Sequence, residues 1–151
     1  MQNVTAELYL SNPIESFDTC AVRVKTEEDV EVLFYATHAV NETRGPNFVY
    51  EFEQATLVST EEGVAARFQD GTKRVYPNPI EYNLQKLKNC IQATAKGNHD
   101  IPCGPEAAFP LLLCITAMHE SVSEIVPFPE RLINLDEQKK VTWVEGLGDI
   151  L

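Results

Sequence analysis

Residues 84–129 carry the clearest structural pattern of the chain, LQKLKNCIQATAKGNHDIPCGPEAAFPLLLCITAMHESVSEIVPFP. Apolar residues recur at helical spacing from Leu84 onward, until Gly97 provides a C-terminal stop. A second helix is predicted to open at Pro105. Pro110 should either kink that helix or mark its true start, because proline lacks the N–H of the helical ladder. The stretch therefore predicts two helices around an Ile-Pro loop, followed by a short apolar exit.

The sequence before this stretch is typical of β-strands. Apolar and polar residues alternate over residues 4–10 and 20–25, and residues 31–40 (EVLFYATHAV) are apolar on both faces. Further short strand signals follow between residues 48 and 76, with Asp70-Gly71 as a two-residue hairpin turn. Short turns between successive strands predict an α+β fold with an open, mostly antiparallel sheet of about six strands. A strand that is apolar on both faces indicates a sheet covered on both sides.

Length and charge bound the function classes. A chain of 151 residues suits a single domain over residues 1–151. A formal net charge of -11 argues against nucleic acid and anionic membranes as partners, since both require clustered Lys and Arg. No apolar run reaches the roughly 18 residues of a membrane span, and no signal segment follows Met1. We therefore expect a cytoplasmic protein.

Three residues are candidates for facing a substrate. His38 ends an apolar strand and precedes a polar loop, so it is either a substrate hydrogen-bond donor or a core or interface histidine bonded to a backbone carbonyl. Arg44 either clamps a carboxylate or phosphate, or is a solvated loop cation beside Glu42. Tyr35 could lie in the core, at a subunit interface or on a substrate wall. The sequence leaves these alternatives open.

Other patterns predict no site. The four cysteines contain no C-x-x-C pair, so neither a zinc site nor a disulfide framework is expected. His119 has no second histidine four residues away, which excludes the zincin pattern, and no nucleophile elbow surrounds Ser121. Asp18 and Glu15 are interpreted as a solvated acidic pair at a strand edge. We therefore predict no catalytic and no metal-binding residue.

The two helices, taken with three strand segments, resemble the C-terminal domain of the glucose-fructose oxidoreductase, inositol dehydrogenase and MocA (Gfo/Idh/MocA) oxidoreductase family. The segments are NPIESFDTCAVRV (12–24), VEVLFYATHAV (30–40) and FVYEFEQATLV (48–58), and the resemblance spans about residues 6–132. Residues 53–56 depart from the family, because many members carry Gly-Thr-x-Gly there. The resemblance implies two or three helices packed on one face of the sheet.

The same resemblance implies a function. The family binds its nicotinamide cofactor in an N-terminal Rossmann domain, and this sequence contains no Gly-x-Gly-x-x-Gly after an initial strand. The family's Glu-Lys-Pro lysine and its Asp-x-x-x-His helix are also unmatched. We therefore expect the substrate-binding and oligomerisation domain of an oxidoreductase that uses NAD or NADP on a sugar or polyol. The isolated chain should bind no cofactor and be inactive, and should form a homo-oligomer through its sheet face.

A second interpretation comes from a different functional class. The chain could be a self-standing α+β module whose sheet and helices enclose a small apolar ligand, with no redox role.

Overall fold

The computed structural model describes residues 1–78, 84–98, 101–102, 104–138 and 140–150. The chain forms two compact units, one made of Met1–Thr43 with Pro105–Leu151 and the other of Arg44–Gly104. A single domain over residues 1–151 stays a prediction.

The first unit contains a four-stranded sheet, a two-stranded sheet and two helices. In chain order its elements are β1 (Asn3–Leu10), β2 (Thr19–Lys25), β3 (Glu31–Thr37), α2 (Pro105–Ser121), β8 (Val126–Pro127), β9 (Ile133–Asp136), β10 (Val141–Val144) and α3 (Leu147–Ile150). The larger sheet has the order β3-β2-β1-β8, with β8 parallel to β1 and the other pairs antiparallel. None of the described helices is both long and apolar enough to cross a membrane.

The core of this unit lies between α2 and one face of β1 and β2. Strict alternation places every second residue of each strand on that face. The buried members are Ala6, Leu8, Cys20, Val22, Val24 and Met118. Because burial of apolar surface is the main driving force of folding, the six-residue cluster determines how α2 lies on the sheet. Burial also raises the pKa of the Cys20 thiol, which makes this cysteine a small core residue, as its apolar neighbours in the sequence predict.

The second unit contains the other four-stranded sheet and one helix. Its elements are β4 (Val49–Glu51), β5 (Ala55–Thr60), β6 (Gly63–Phe68), β7 (Lys73–Tyr76) and α1 (Gln85–Ala95). The strands follow each other as an antiparallel meander, β4-β5-β6-β7. Gly71 has a φ of 84° in the β6–β7 turn, as the Asp-Gly hairpin signal predicts.

The α+β class and the predominance of antiparallel pairing are confirmed, but the single sheet of about six strands is wrong. The described strands form three sheets, of four, two and four strands. Alternation in a sequence identifies strands and their faces, but not which edges pair, and this explains the difference. The sequence patterns predict neither the short strand β9 nor the helix α3. Pro110 lies inside α2 and does not mark its start.

Leu8→Ala is expected to lower the free energy of unfolding by about 3 kcal/mol, because it removes a fully buried side chain and leaves a cavity. Leu8 is 1% exposed, whereas Leu135, on β9, is 61% exposed. Leu135→Ala is therefore the matched control and should cost less than about 1 kcal/mol. Chemical denaturation of the three proteins measures both effects. Equal losses at the two leucines would contradict the assigned core.

Candidate functional site

A polar network lies where the strands of the first unit's larger sheet begin and end, at one end of that sheet. β1 ends, β2 begins and β3 ends at this end of the sheet, because the three strands are antiparallel neighbours. The Thr19 and Thr37 hydroxyls are hydrogen-bonded across β2 and β3 at 2.8 Å, and the Ala39 N–H donates to the Thr37 hydroxyl at 2.9 Å. The start of β2 and the main chain that follows β3 are therefore joined by side-chain hydrogen bonds.

The centre of the network is the Asp18 carboxylate, which is buried. Its Oδ2 atom accepts four hydrogen bonds, from the main-chain N–H and hydroxyl of Ser11 (both 2.8 Å) and from the main-chain N–H and side-chain amide of Asn12 (3.1 and 3.0 Å). Its Oδ1 atom accepts from the Thr19 hydroxyl at 3.2 Å. One side chain thus fixes the loop between β1 and β2.

Two opposing influences set the acidity of Asp18. Burial is the largest single one and favours the neutral acid, but the hydrogen bonds from Ser11 and Asn12 together outweigh it. The pKa of Asp18 is therefore lowered below 3.8, the ordinary value of an aspartate. The carboxylate is ionised at neutral pH, and its hydrogen bonds are charge-assisted.

His38 lies directly after β3, at the same end of the sheet. Its main-chain N–H donates to the Asp18 carbonyl oxygen at 2.8 Å, while its imidazole is exposed. The neighbouring Ala39 is fully buried, and its carbonyl oxygen accepts from the Val144 N–H at 3.0 Å. An exposed imidazole on a main chain that is anchored on both sides is suited to positioning a hydrogen bond to a ligand.

Tyr35 and Arg44 lie in different surroundings. Tyr35, on β3, is 58% exposed and is paired with Ala21 of β2 on the sheet face opposite α2. Arg44 is exposed and belongs to the second unit, whereas Tyr35 and His38 belong to the first. The structure therefore brings two of the three candidates to one end of β3. Their roles toward a substrate stay predictions.

Potential metal ligands are dispersed in the described part of the chain. No group of three or more His, Cys, Asp or Glu side chains lies together there. That the chain binds neither a metal nor a nicotinamide cofactor stays a prediction.

The strand β3 is exposed along most of its length. Val32, Leu33, Phe34 and Tyr35 are each 44–58% exposed, although all four are large and apolar or aromatic. β3 is an edge strand of its sheet, and α2 packs along β1, so residues 32–35 of β3 are left exposed on both faces of that strand. Exposed apolar and aromatic side chains in such number are typical of a protein interface.

The interpretation of Asp18 as a solvated edge residue is wrong. Its hydrogen-bond donors Ser11 and Asn12 precede it by seven and six positions and belong to the loop between β1 and β2. Asn12-Pro13 signals a turn, and an aspartate that follows such a turn is able to accept its N–H groups. That signal was present in the sequence. Glu15 is exposed, as predicted.

No family model matches this chain, and no curated protein matches it. Among solved structures, the chain is similar to an oxidoreductase from Agrobacterium radiobacter, crystallised with NAD+, L-tartaric acid and magnesium. The match has a TM-score of 0.60 at 13% identity and covers 78% of this chain. The chain spans 40% of the length of that oxidoreductase. At this identity the likeness establishes a shared fold.

Asp18→Asn is expected to lower the free energy of unfolding at neutral pH by about 1.5–3 kcal/mol, because it removes the charge from the buried hydrogen bonds. A carboxylate with a lowered pKa stabilises the fold while it is ionised, and this contribution is lost as the pH falls below 3.8. The stability difference between the two proteins should therefore narrow in acid. Denaturation curves across pH measure it.

Asp70→Asn is the matched control. The pKa of Asp70 is also lowered, first by the side-chain and then by the main-chain hydrogen bond from Thr72, but this carboxylate is fully solvent-exposed. Its replacement should cost clearly less than that of Asp18. Wild-type stability in Asp18→Asn at neutral pH would rule out the central role of the carboxylate.

Proposed function

We propose that this chain is the C-terminal substrate-binding and oligomerisation domain of a cytoplasmic NAD(P)-dependent oxidoreductase of the Gfo/Idh/MocA family, acting on a sugar or polyol. The observation that carries the proposal is the fold shared over 78% of the chain with part of an oxidoreductase that binds NAD+. The nicotinamide domain of such an enzyme would supply the cofactor and the catalytic lysine. This chain would supply the substrate wall and the subunit interface.

His38 would donate a hydrogen bond to a substrate hydroxyl, and Tyr35, three residues earlier on β3, would line the open face of the sheet. Two features support this role. The main chain at His38 is fixed by the Asp18 carbonyl oxygen, and the imidazole is exposed. A preorganised donor of this kind raises affinity because little ordering is lost on binding.

The subunit interface would include the sheet face on which Leu33 and Tyr35 lie. Both side chains are more than half exposed. A stable dimer buries about 1,600 Å² in total and places apolar and aromatic residues at its centre. The exposed side chains of β3 provide such a centre. The charged pair of Arg23 and Glu31, 2.8 Å apart on neighbouring strands, would lie toward its rim.

Light scattering and a fluorescence titration with NADH and NADPH test whether this chain forms the oligomer and leaves cofactor binding to the nucleotide domain. We expect the chain, of 16.9 kDa, to be a dimer or larger and to bind neither nucleotide. Leu33→Glu should release monomers, because it would place a charge in the centre of the interface. Leu135→Glu adds the same charge at an exposed position of the two-stranded sheet and should leave the mass unchanged. A wild-type monomer that binds either nucleotide would refute the proposal and favour a self-standing ligand-binding module.

In the protein that includes the nucleotide domain, His38→Ala is expected to raise the KM for the sugar or polyol about tenfold, with a smaller effect on kcat. The loss of one hydrogen bond to a bound hydroxyl is sufficient for this change. His119→Ala, at an exposed histidine of α2, is the matched control. Unchanged kinetics with a lower midpoint of thermal unfolding would assign His38 to a structural role instead.

A further inference from the structure

A row of polar and basic side chains crosses the sheet of the second unit. Arg67 of β6 is directly opposite Thr56 of β5 and directly opposite Lys73 of β7. Directly paired residues of antiparallel strands point to the same face, with Cβ atoms about 5 Å apart. A hydroxyl, a guanidinium and an ammonium group therefore lie side by side on one face, over a span of about 10 Å.

The two cations of this row have no counterion among the described residues. Neither Arg67 nor Lys73 takes part in an ion pair there, although the chain carries 23 Asp and Glu against 12 Lys and Arg. Like charges directly opposite each other on neighbouring strands destabilise a sheet. Arg67 and Lys73 thus form an unfavourable pair that an anion between them would neutralise.

The carboxylates nearest in the sheet are not positioned to neutralise this pair. Glu51 lies at the far end of the same row, on β4, two strands from Arg67. Asp70, in the turn between β6 and β7, accepts two hydrogen bonds from Thr72, at 2.7 and 2.9 Å. The charged groups of Arg67 and Lys73, both exposed residues, therefore face the solvent.

An open surface depression with a volume of about 280 Å³ adjoins the row. Thr56 and Arg67 line it, together with Phe52, Ala55, Phe68 and Gln69. The side-chain amide of Gln69 donates to the Glu53 carbonyl oxygen, which leaves the amide oxygen of Gln69 as an acceptor. The depression is lined mainly by polar surface, and it offers donors for an anionic group and an acceptor for hydroxyls.

We propose that Thr56, Arg67 and Lys73 form a binding site for the oxyanion of a small molecule, either a carboxylate or a phosphate. The planar fork of Arg67 matches both groups, and Lys73 adds a point charge. The Thr56 hydroxyl donates a third hydrogen bond. This site is separate from the proposed role of His38 and does not depend on a nicotinamide cofactor.

Calorimetric titration of the full chain with gluconate, inorganic phosphate and sorbitol tests the site. We expect gluconate or phosphate to bind and sorbitol, which lacks the oxyanion, not to bind. Arg67→Thr and Lys73→Thr should each weaken binding about fivefold or more, since each removes a charged donor. Lys73→Thr should also raise the midpoint of thermal unfolding without ligand by about 1–4 °C, because it relieves the like-charge pair.

Arg74→Thr is the matched control. Arg74 is the next residue on β7 and points to the opposite face, where its guanidinium lies 5.6 Å from the centroid of the Phe68 ring. Its replacement removes the same charge from the same strand, so binding should change less than about twofold. Gluconate alone, phosphate alone or both would each support the site and identify the natural source of the oxyanion.

Three results would overturn the proposal. They are the absence of saturable anion binding below about 10 mM, equal binding of sorbitol and gluconate, and equal weakening by Arg74→Thr and Arg67→Thr. None of them bears on the nucleotide and mass measurements. A failure of this site is therefore distinguishable from a failure of the proposed oxidoreductase role.

Discussion

The packing of α2 on β1 and β2 is the interaction on which the first unit depends. Leu8 and Val22 of the sheet meet Met118 of the helix, and this contact buries one face of the two strands. Because a strand points successive side chains to opposite faces, covering one face leaves the other open. The helix therefore determines that Tyr35 lies on an open surface, and that β3, which the helix does not cover, is exposed.

The Asp18 carboxylate adds a second constraint at the end of this sheet where β2 begins. A buried charge is costly unless hydrogen bonds compensate for it, and here the donors come from the loop that the charge holds in place. The same segment fixes the main chain of His38 through the Asp18 carbonyl oxygen. Rigid main chain and exposed side chain are thus combined at one point, as a binding site requires.

The two units differ in the character of their open surfaces. In the first, large apolar side chains of β3 are exposed, which fits a contact with another protein surface. In the second, the row of Thr56, Arg67 and Lys73 is positively charged within an acidic chain. The open surfaces of the two units therefore suit different ligands, a protein surface in the first unit and a small anion in the second.

The sequence by itself determined most of the strands, the two longer helices and the Asp70-Gly71 turn, because alternation, helical spacing and Asp-Gly are local signals. It also placed His38 at a strand end. Only the tertiary structure decided that the strands form three sheets, that Asp18 is buried and that Arg67 faces Lys73. These facts depend on which strand edges and loops meet, and such contacts join residues that are distant in sequence, where no periodicity records them.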